Sequence, residues 1–431
     1  MGLRVNAEAR AEQVARASYG RLIAILAAPT GDIALAEDAL GDAFEKALSG
    51  WPVAGVPRNP EAWLLTVARN RQRDVYRSAA HRLAAPLDEA VLQLPRTATG
   101  PVPGGADDPD AVAIPDRRLA LMFVCAHPAV EPGIRTALML QTVLGFEARQ
   151  IAAAFVVPEA AMAQRLVRAK RRIKEARIPF SVPSAVELPA RLPAVLEAVY
   201  GAYAIDWQPV SAVAERDSLA AEALYLANTL AELLPDEPEA LGLAALLSYS
   251  SARAGARSGP DGRFVPLDEQ RTELWDAGLI ASGERLLKRA HALGRVGRFQ
   301  LEASIQSVHC ARARTGATDW RALRLLTAAL VTVAPTLGAR VSLAAVIAET
   351  EGPRAGLAAL DGIEGAERFQ PAWATRAHLL ALVGDEEQAA IAYAKAISLT
   401  TDAPTRDYLA ERSAASRGVF SRARPDVRPR E

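Results

Sequence analysis

Apolar residues recur with helical period along nearly the whole chain; Ala and Leu dominate, aromatics are few and alternating β-branched runs are almost absent. The pattern predicts an all-α protein. In DIALAEDALGDAFEKALSGW, Ala36, Leu40, Ala43, Phe44 and Ala47 line one face of a helix while Asp38, Asp42 and Glu45 share the other. The following segment, NPEAWLLTVARNRQRDVYRSAAHR, opens on Asn59-Pro60, a cap followed by the preferred first helical residue. Its helix buries Trp63, Leu64, Val67 and Val75 and carries Arg69, Arg71, Arg73, Arg77 and Arg82 against Glu61 and Asp74. Trp63 has two readings, a core residue or a platform for stacked bases, and its spacing with Leu64 and Val67 favours the core.

Further along, TALMLQTVLGFEARQIAAAFVVPEAAMAQRLVRAKRRIKEA predicts three helices. The first runs to Leu144 and stops at Gly145. The second, Glu147–Phe155, is short, and Val156-Val157-Pro158 then turns the chain into a third with proline at its first position. This is the pattern of a helix-turn-helix. Met162, Leu166, Ala169 and Ile173 form the apolar stripe of the third helix, which leaves Ala160, Ala163, Gln164, Val167, Arg168 and Arg171 opposite. Small residues near the helix start suit entry into a major groove, and Gln164 and Arg168 can each make bidentate bonds to base edges. Arg165, Lys170, Arg171 and Arg172 are the expected phosphate contacts. The competing reading is a merely solvated basic helix.

Charge divides the chain into blocks. The 431 residues carry 50 basic and 50 acidic side chains, so any nucleic-acid footprint is local. Residues 117–180 hold eleven Arg or Lys against four Glu, net +7, whereas residues 32–46 hold five acids against one Lys. Between residues 83 and 116 lie six prolines, three glycines and six acids against one Arg, a composition suited to a flexible acidic linker rather than a packed core. Only five of the basic residues are Lys, at 46, 170, 174, 288 and 395. That bias fits a GC-rich coding sequence and carries no functional weight by itself.

From 185 to 415 the sequence suggests repeated helical hairpins. The segments 230–247, 326–360 and 373–399 each offer a Leu/Ala helix, a short turn and a second helix. The last, with Trp373, Ala377, Gly384, Tyr393 and Ala396, comes closest to the tetratricopeptide pattern. Within this block GPDGRFVPLDEQ, followed by Trp275, is a candidate regulatory loop, with Asp261, Arg263, Asp268, Glu269 and Trp275 as its residues of interest. Its plain reading is a turn at Asp261-Gly262 and a helix starting at Leu267-Asp268-Glu269. Residues 416–431 read as a flexible tail.

The order of these motifs carries a resemblance. An acidic helix with DAFEKAL, then AWLLTVARNRQRDVYR, an acidic linker and a helix-turn-helix ending in MAQRLVRAKRRI is similar to bacterial RNA polymerase sigma factors of the extracytoplasmic-function type. Residues 1–82 resemble sigma region 2, 83–116 the linker, and 117–180 region 4; the block 185–415 resembles the tetratricopeptide-like extension of one subgroup. The resemblance implies core RNA polymerase and promoter DNA as partners, with Asp38, Asp42 and Glu45 facing the clamp coiled coil of the largest subunit and region 4 the flap. It places Asn70 at the capture of a flipped minus-10 base, Arg58 and Asn59 in the loop framing that pocket, and Arg69, Arg73 and Arg77 on the melted strand. It places Ala163, Gln164, Val167 and Arg168 at the minus-35 element. Ala163 and Pro158 depart from the family pattern, as does VYGAYAIDW at 199–207.

Other chemistry finds no support in the sequence. Cys125 and Cys310 lack metal-ligand or disulfide spacing, the five His are scattered and there is no phosphate loop, so neither enzyme activity nor cofactor nor metal is expected. The polar N-terminus and the longest uncharged run, Leu325–Ala339, predict a cytoplasmic protein without a membrane span. Three functions stay open: a sigma factor whose C-terminal domain contacts its sigma domains, a helix-turn-helix regulator with a repeat-type sensor, and a repeat scaffold whose basic module meets RNA or an acidic protein.

Overall fold

The computed structural model describes residues 2–83, 117–207 and 213–421, and it is helical throughout apart from short turns and one isolated bridge. The acidic linker of the sequence analysis lies outside the described residues, as does most of the expected tail. The chain divides into two compact units, Met1–Ala202 and Tyr203–Glu431. The division falls inside a helix, later than the boundary between residues 180 and 185 that the sequence predicts.

The first unit begins with α1 (Gly2–Ala27), α2 (Ile33–Ala54) and α3 (Pro60–Leu83), which pack on one another. Asp32 starts α2 by accepting the Leu35 amide at 3.1 Å, and Asn59 caps α3 through the Ala62 amide, also at 3.1 Å. Leu22, Ile23, Leu26, Ile33, Leu40 and Leu64 are completely buried between the three. Glu61 of α3 receives hydrogen bonds from Ser18 and Arg21 of α1, tying the ends of the bundle. Trp63 is half-buried, its ring edge-to-face with Trp51 at 5.6 Å, and Val75 is also half-buried rather than fully enclosed.

The remaining helices of this unit include α4 (Arg118–Cys125), α5 (Pro132–Thr142), α6 (Ala148–Ala154) and α7 (Glu159–Glu175). Gly145 adopts φ +72° and ends α5, with the Phe146 amide reaching back to the Leu140 carbonyl at 3.0 Å. A capping box between Glu147 and Gln150 starts α6. Pro158 is the cap of α7 rather than its first residue. The two modules are not separate bodies: α1 packs on α4 and α2 on α7. Gly20 makes this possible, since a Cβ there would collide with the Val143 carbonyl oxygen. Then follows α8 (Leu188–Trp207), which runs across the division between the units.

In the second unit, α9 (Val213–Leu233), α10 (Pro238–Ala252), α11 (Ala277–Ala292), α12 (Arg298–Thr315), α13 (Trp320–Val333) and α14 (Leu337–Glu351) follow in order. They continue as α15 (Pro353–Asp361), α16 (Gln370–Leu382), α17 (Glu386–Leu399) and α18 (Ala403–Ser421). Most pack chiefly on the helices before and after them, but α12 packs more extensively on α10 than on either neighbour, and α14 also meets α16. The last helix continues through residues 416–421, which the sequence assigned to the tail. Buried on almost every side, α10 organises the start of the series: Glu239 caps α12 by accepting the Phe299 and Gln300 amides at 2.9 and 3.2 Å. No helix among the described residues is long and apolar enough to cross a membrane.

His309 of α12 faces Trp320 edge-on at 6.5 Å, and burial together with Arg253 and Arg312 holds its pKa down to about 4 from 6.5. A depressed folded value means that the stability linked to the neutral ring is complete above the unfolded pKa and is lost as pH falls from about 6.5 toward 4, by at most about 3 kcal/mol. Urea unfolding of His309→Gln between pH 7 and pH 4 is expected to show a shallower acid loss than wild type. Parallel pH profiles would assign the loss to other groups.

Candidate nucleic-acid interface

The helix-turn-helix presents the face that periodicity anticipated. Met162, Leu166, Ala169 and Ile173 are buried, while Ala160, Gln164, Val167, Arg168, Arg171 and Arg172 of α7 are exposed and Ala163 is half-buried. Val167 is 64% exposed, which is unusual for a large apolar side chain and suits contact with a thymine methyl or a sugar edge. Arg171 holds Glu175 at 2.6 Å one turn along.

Two of the expected phosphate contacts are occupied elsewhere. Arg165 is half-buried, donating to the Gly133 carbonyl at 3.0 Å and pairing with Glu131 at 3.5 Å, so it ties α7 to the start of α5. Lys170 departs further: it lies on the flank of α7 that meets α2, where its ammonium touches Glu37 at 2.5 Å with both side chains largely buried. One turn on, Lys174 meets Asp32 at 2.7 Å. Burial raises the Glu37 carboxyl above its ordinary range, Lys170 opposes that shift, and Asp38 adds to it. Sequence reasoning missed Asp32, Glu37 and Lys174; the available signal was two Lys one turn apart in a chain otherwise rich in Arg.

On α2, Asp38 and Glu45 are exposed and Asp42 half-buried, one acidic face at successive turns. Arg71 of α3, assigned no role from the sequence, holds Asp42 at 2.5 Å. Arg58 and Asn59 are exposed in the loop entering α3. Along α3, Arg73 donates to the Asn70 amide oxygen at 3.3 Å, and Arg77 lies 3.8 Å from Asp74. Burial and the neighbouring Arg73 lower the pKa of Arg69. Arg69, Asn70, Arg73 and Arg77 thus share one stretch of α3 and form a polar strip along it.

The candidate loop of the second unit differs from its simple reading in part. Asp261-Gly262 does form a turn, with the Asp261 carboxylate accepting the Arg263 amide at 3.2 Å. No helix starts at Leu267: Arg312 takes the carbonyls of Leu267, Asp268 and Gln270 at 2.8, 3.2 and 3.0 Å, which removes the acceptors a helix there would need. The next helix, α11, begins at Ala277 with Asp276 as its cap. Arg263 pairs with Asp261 at 3.2 Å and Glu411 at 2.9 Å, Phe264 meets Tyr408 edge-on, and Trp275 is buried beneath the Arg312 guanidinium. Asp268 and Glu269 remain exposed. Cys125 and Cys310 are free and buried, and burial pushes the Cys125 thiol up to about 12.

Residues 14–82 match the Sigma-70 region 2 family, and residues 191–291 match a family of unknown function (DUF6596). An uncharacterized protein of Rhizobium meliloti is 35% identical over 377 residues, covering 87% of this chain and 88% of its own. A probable ECF RNA polymerase sigma factor, SigI, of Mycobacterium tuberculosis is 30% identical over 171 residues, 39% of this chain and 56% of that protein. The probable RNA polymerase sigma factor RfaY of Xanthomonas campestris is 30% identical over 166 residues, 36% of this chain and 40% of its own. No solved structure matches significantly. The chain belongs to one family with the Rhizobium protein, and its match to Sigma-70 region 2 over residues 14–82 supports an RNA polymerase sigma factor.

Val156, in the turn of the helix-turn-helix, adopts φ +54° and is 89% exposed. A β-branched residue pays about 1–2 kcal/mol for that conformation and here buries nothing in return. Val156→Gly is therefore expected to raise the stability of the first unit by about 0.5–1 kcal/mol after the entropic cost of glycine, read by urea denaturation. A destabilised variant would show that Val156 contributes contacts beyond its backbone conformation.

Proposed function

We propose that the chain is an alternative sigma factor of the extracytoplasmic-function type, working in the cytoplasm. It binds core RNA polymerase, directs it to particular promoters and promotes opening of the duplex. Residues 1–82 act as region 2, 83–116 as the tether, 117–180 as region 4, and 185–415 as a tetratricopeptide-like regulatory domain. The observation that carries the reading is the order along one chain: a region 2 match over residues 14–82, followed by a basic helix-turn-helix whose recognition face is exposed.

Each part has a physical task in this reading. Asp38, Asp42 and Glu45 dock on the clamp coiled coil, and region 4 sits on the flap. Gln164, Arg168, Val167 and Ala163 read the minus-35 element, with Arg171 and Arg172 on its phosphates. Arg58, Asn59 and Asn70 capture an extruded base of the minus-10 element while Arg69, Arg73 and Arg77 follow the melted strand. Unstacking that base costs a few kcal/mol, which binding of the single strand offsets. Two weak sites on one tether raise each other's effective concentration and impose a promoter spacing. In the second unit, the successive packing of helices supports a repeat-type domain, and the Arg263–Glu411 and Arg312 contacts support a fixed regulatory loop.

Gel filtration with core polymerase tests this directly. The full chain is expected to co-migrate, and Asp38→Arg/Asp42→Arg to lose at least about tenfold in affinity, equal to about 1.4 kcal/mol. Full-chain binding to a duplex operator with no affinity for polymerase would favour a plain helix-turn-helix regulator instead. In the promoter complex, Gln164→Ala and Arg168→Ala should each cost about 1–3 kcal/mol of base discrimination. Arg172→Ala should weaken all sequences alike and reduce the salt dependence by about one ion.

A further inference from the structure

We infer that the second unit holds a binding site for a small oxyanion, a carboxylate or a phosphate, built around the guanidinium of Arg253 where α10 ends against α12. The inference goes beyond the sigma-factor reading and does not depend on it. Arg253 directly follows α10 and is 7% exposed. One terminal nitrogen donates to the side-chain oxygen of Gln306 on α12, a neutral acceptor, and its Nε is buried with no hydrogen-bond partner. Among the described residues no carboxylate pairs with it. Taking a guanidinium out of water is costly, and one amide oxygen does not restore what is lost.

The surroundings add donors and positive potential. The Asp276 amide bonds the Ala252 carbonyl at 2.9 Å, which brings the chain at Trp275 against the end of α10 beside Arg253. The Trp275 indole Nε1 is a second buried donor without an acceptor. Arg312 lies over the Trp275 ring at 5.2 Å, its terminal nitrogens spent on the carbonyls of Leu267, Asp268 and Gln270. Its charge therefore reaches Arg253 without being cancelled by those neutral acceptors. Tyr203 of α8, whose hydroxyl is 3.4 Å from that of Ser251, feels both Arg253 and Arg257. Burial, Arg253 and Arg312 together keep His309 of α12 neutral. Glu284 of α11, the acid whose charge acts on the neighbouring Cys310, is itself 3.5 Å from Arg314.

This combination narrows the chemistry of what completes the site. A water molecule satisfies a donor and leaves the charge uncompensated. An oxyanion supplies negative charge and several acceptor lone pairs at once, and the planar guanidinium fork matches carboxylate and phosphate alike. Hydroxyl and indole donors at the same place suit the remaining oxygens.

Calorimetric unfolding of the full chain tests the site, with inorganic phosphate and succinate as probes and sodium chloride at matched ionic strength as the reference. The probes are used at millimolar concentration, below the range in which kosmotropic salts act on the whole surface. At least one should raise an unfolding midpoint by about 3–6 °C for each tenfold increase above its Kd. A response to phosphate alone assigns a phosphate ligand, and a response to succinate alone a carboxylate. Gln306→Glu sets a carboxylate where the amide oxygen meets Arg253, so it should raise the midpoint in chloride and abolish the response to both probes. Arg253→Met keeps the apolar bulk and should also abolish the response, with little loss of stability in chloride. If that variant fails to fold, Gln306→Glu decides. A wild type that responds no more than it does to chloride would overturn the site. So would a response that survives Gln306→Glu, or a Gln306→Glu midpoint in chloride below that of wild type, which would mean that Arg253 is not short of negative charge.

Discussion

The buried contact between Lys170 and Glu37 constrains everything else in the first unit. It unites α2, in the segment that matches region 2, with α7, whose opposite face is exposed, so neither module can be described without the other. An ion pair taken from water is stabilising only while both partners stay together. That property suits a contact that is made or broken as a whole. It also explains why Lys170 is absent from the exposed basic strip on which its neighbours Arg168, Arg171 and Arg172 lie.

Local chemistry was legible in the sequence to the extent that it depended on period and capping. Asn59 and Gly145 mark a helix start and stop, and the stripe from Met162 to Ile173 is buried as its spacing required. What was not legible depends on contacts between distant segments. Periodicity assigns a residue to a face but does not say what covers the flank between two faces, so Lys170 and Arg165 were placed on phosphates. The loop at Leu267 was misread for the same reason: the donor that captures its carbonyls, Arg312, is 45 residues away in sequence. Asp42 likewise gained a partner, Arg71, that no motif announces.

The second unit follows a different logic. Its helices pack on their sequence neighbours and at one remove, α10 on α12 and α14 on α16, with polar contacts added: Glu239 capping α12, Arg312 gathering a loop, and Arg263 joining that loop to α18. These contacts fix loop and helix termini that a series of apolar hairpins would leave open. A helical unit built in this way holds the loop at residues 261–275 in a defined shape.

The sigma-factor reading requires the face of α2 bearing Asp38, Asp42 and Glu45 to dock on core polymerase, while Asp32 and Glu37 hold α7. Hydrogen–deuterium exchange of the full chain, alone and with core polymerase, measures both faces at once. Protection of the stretch around Asp38 to Glu45 when polymerase is added is the expected result. Unchanged exchange along that face in the presence of polymerase would contradict the sigma-factor reading.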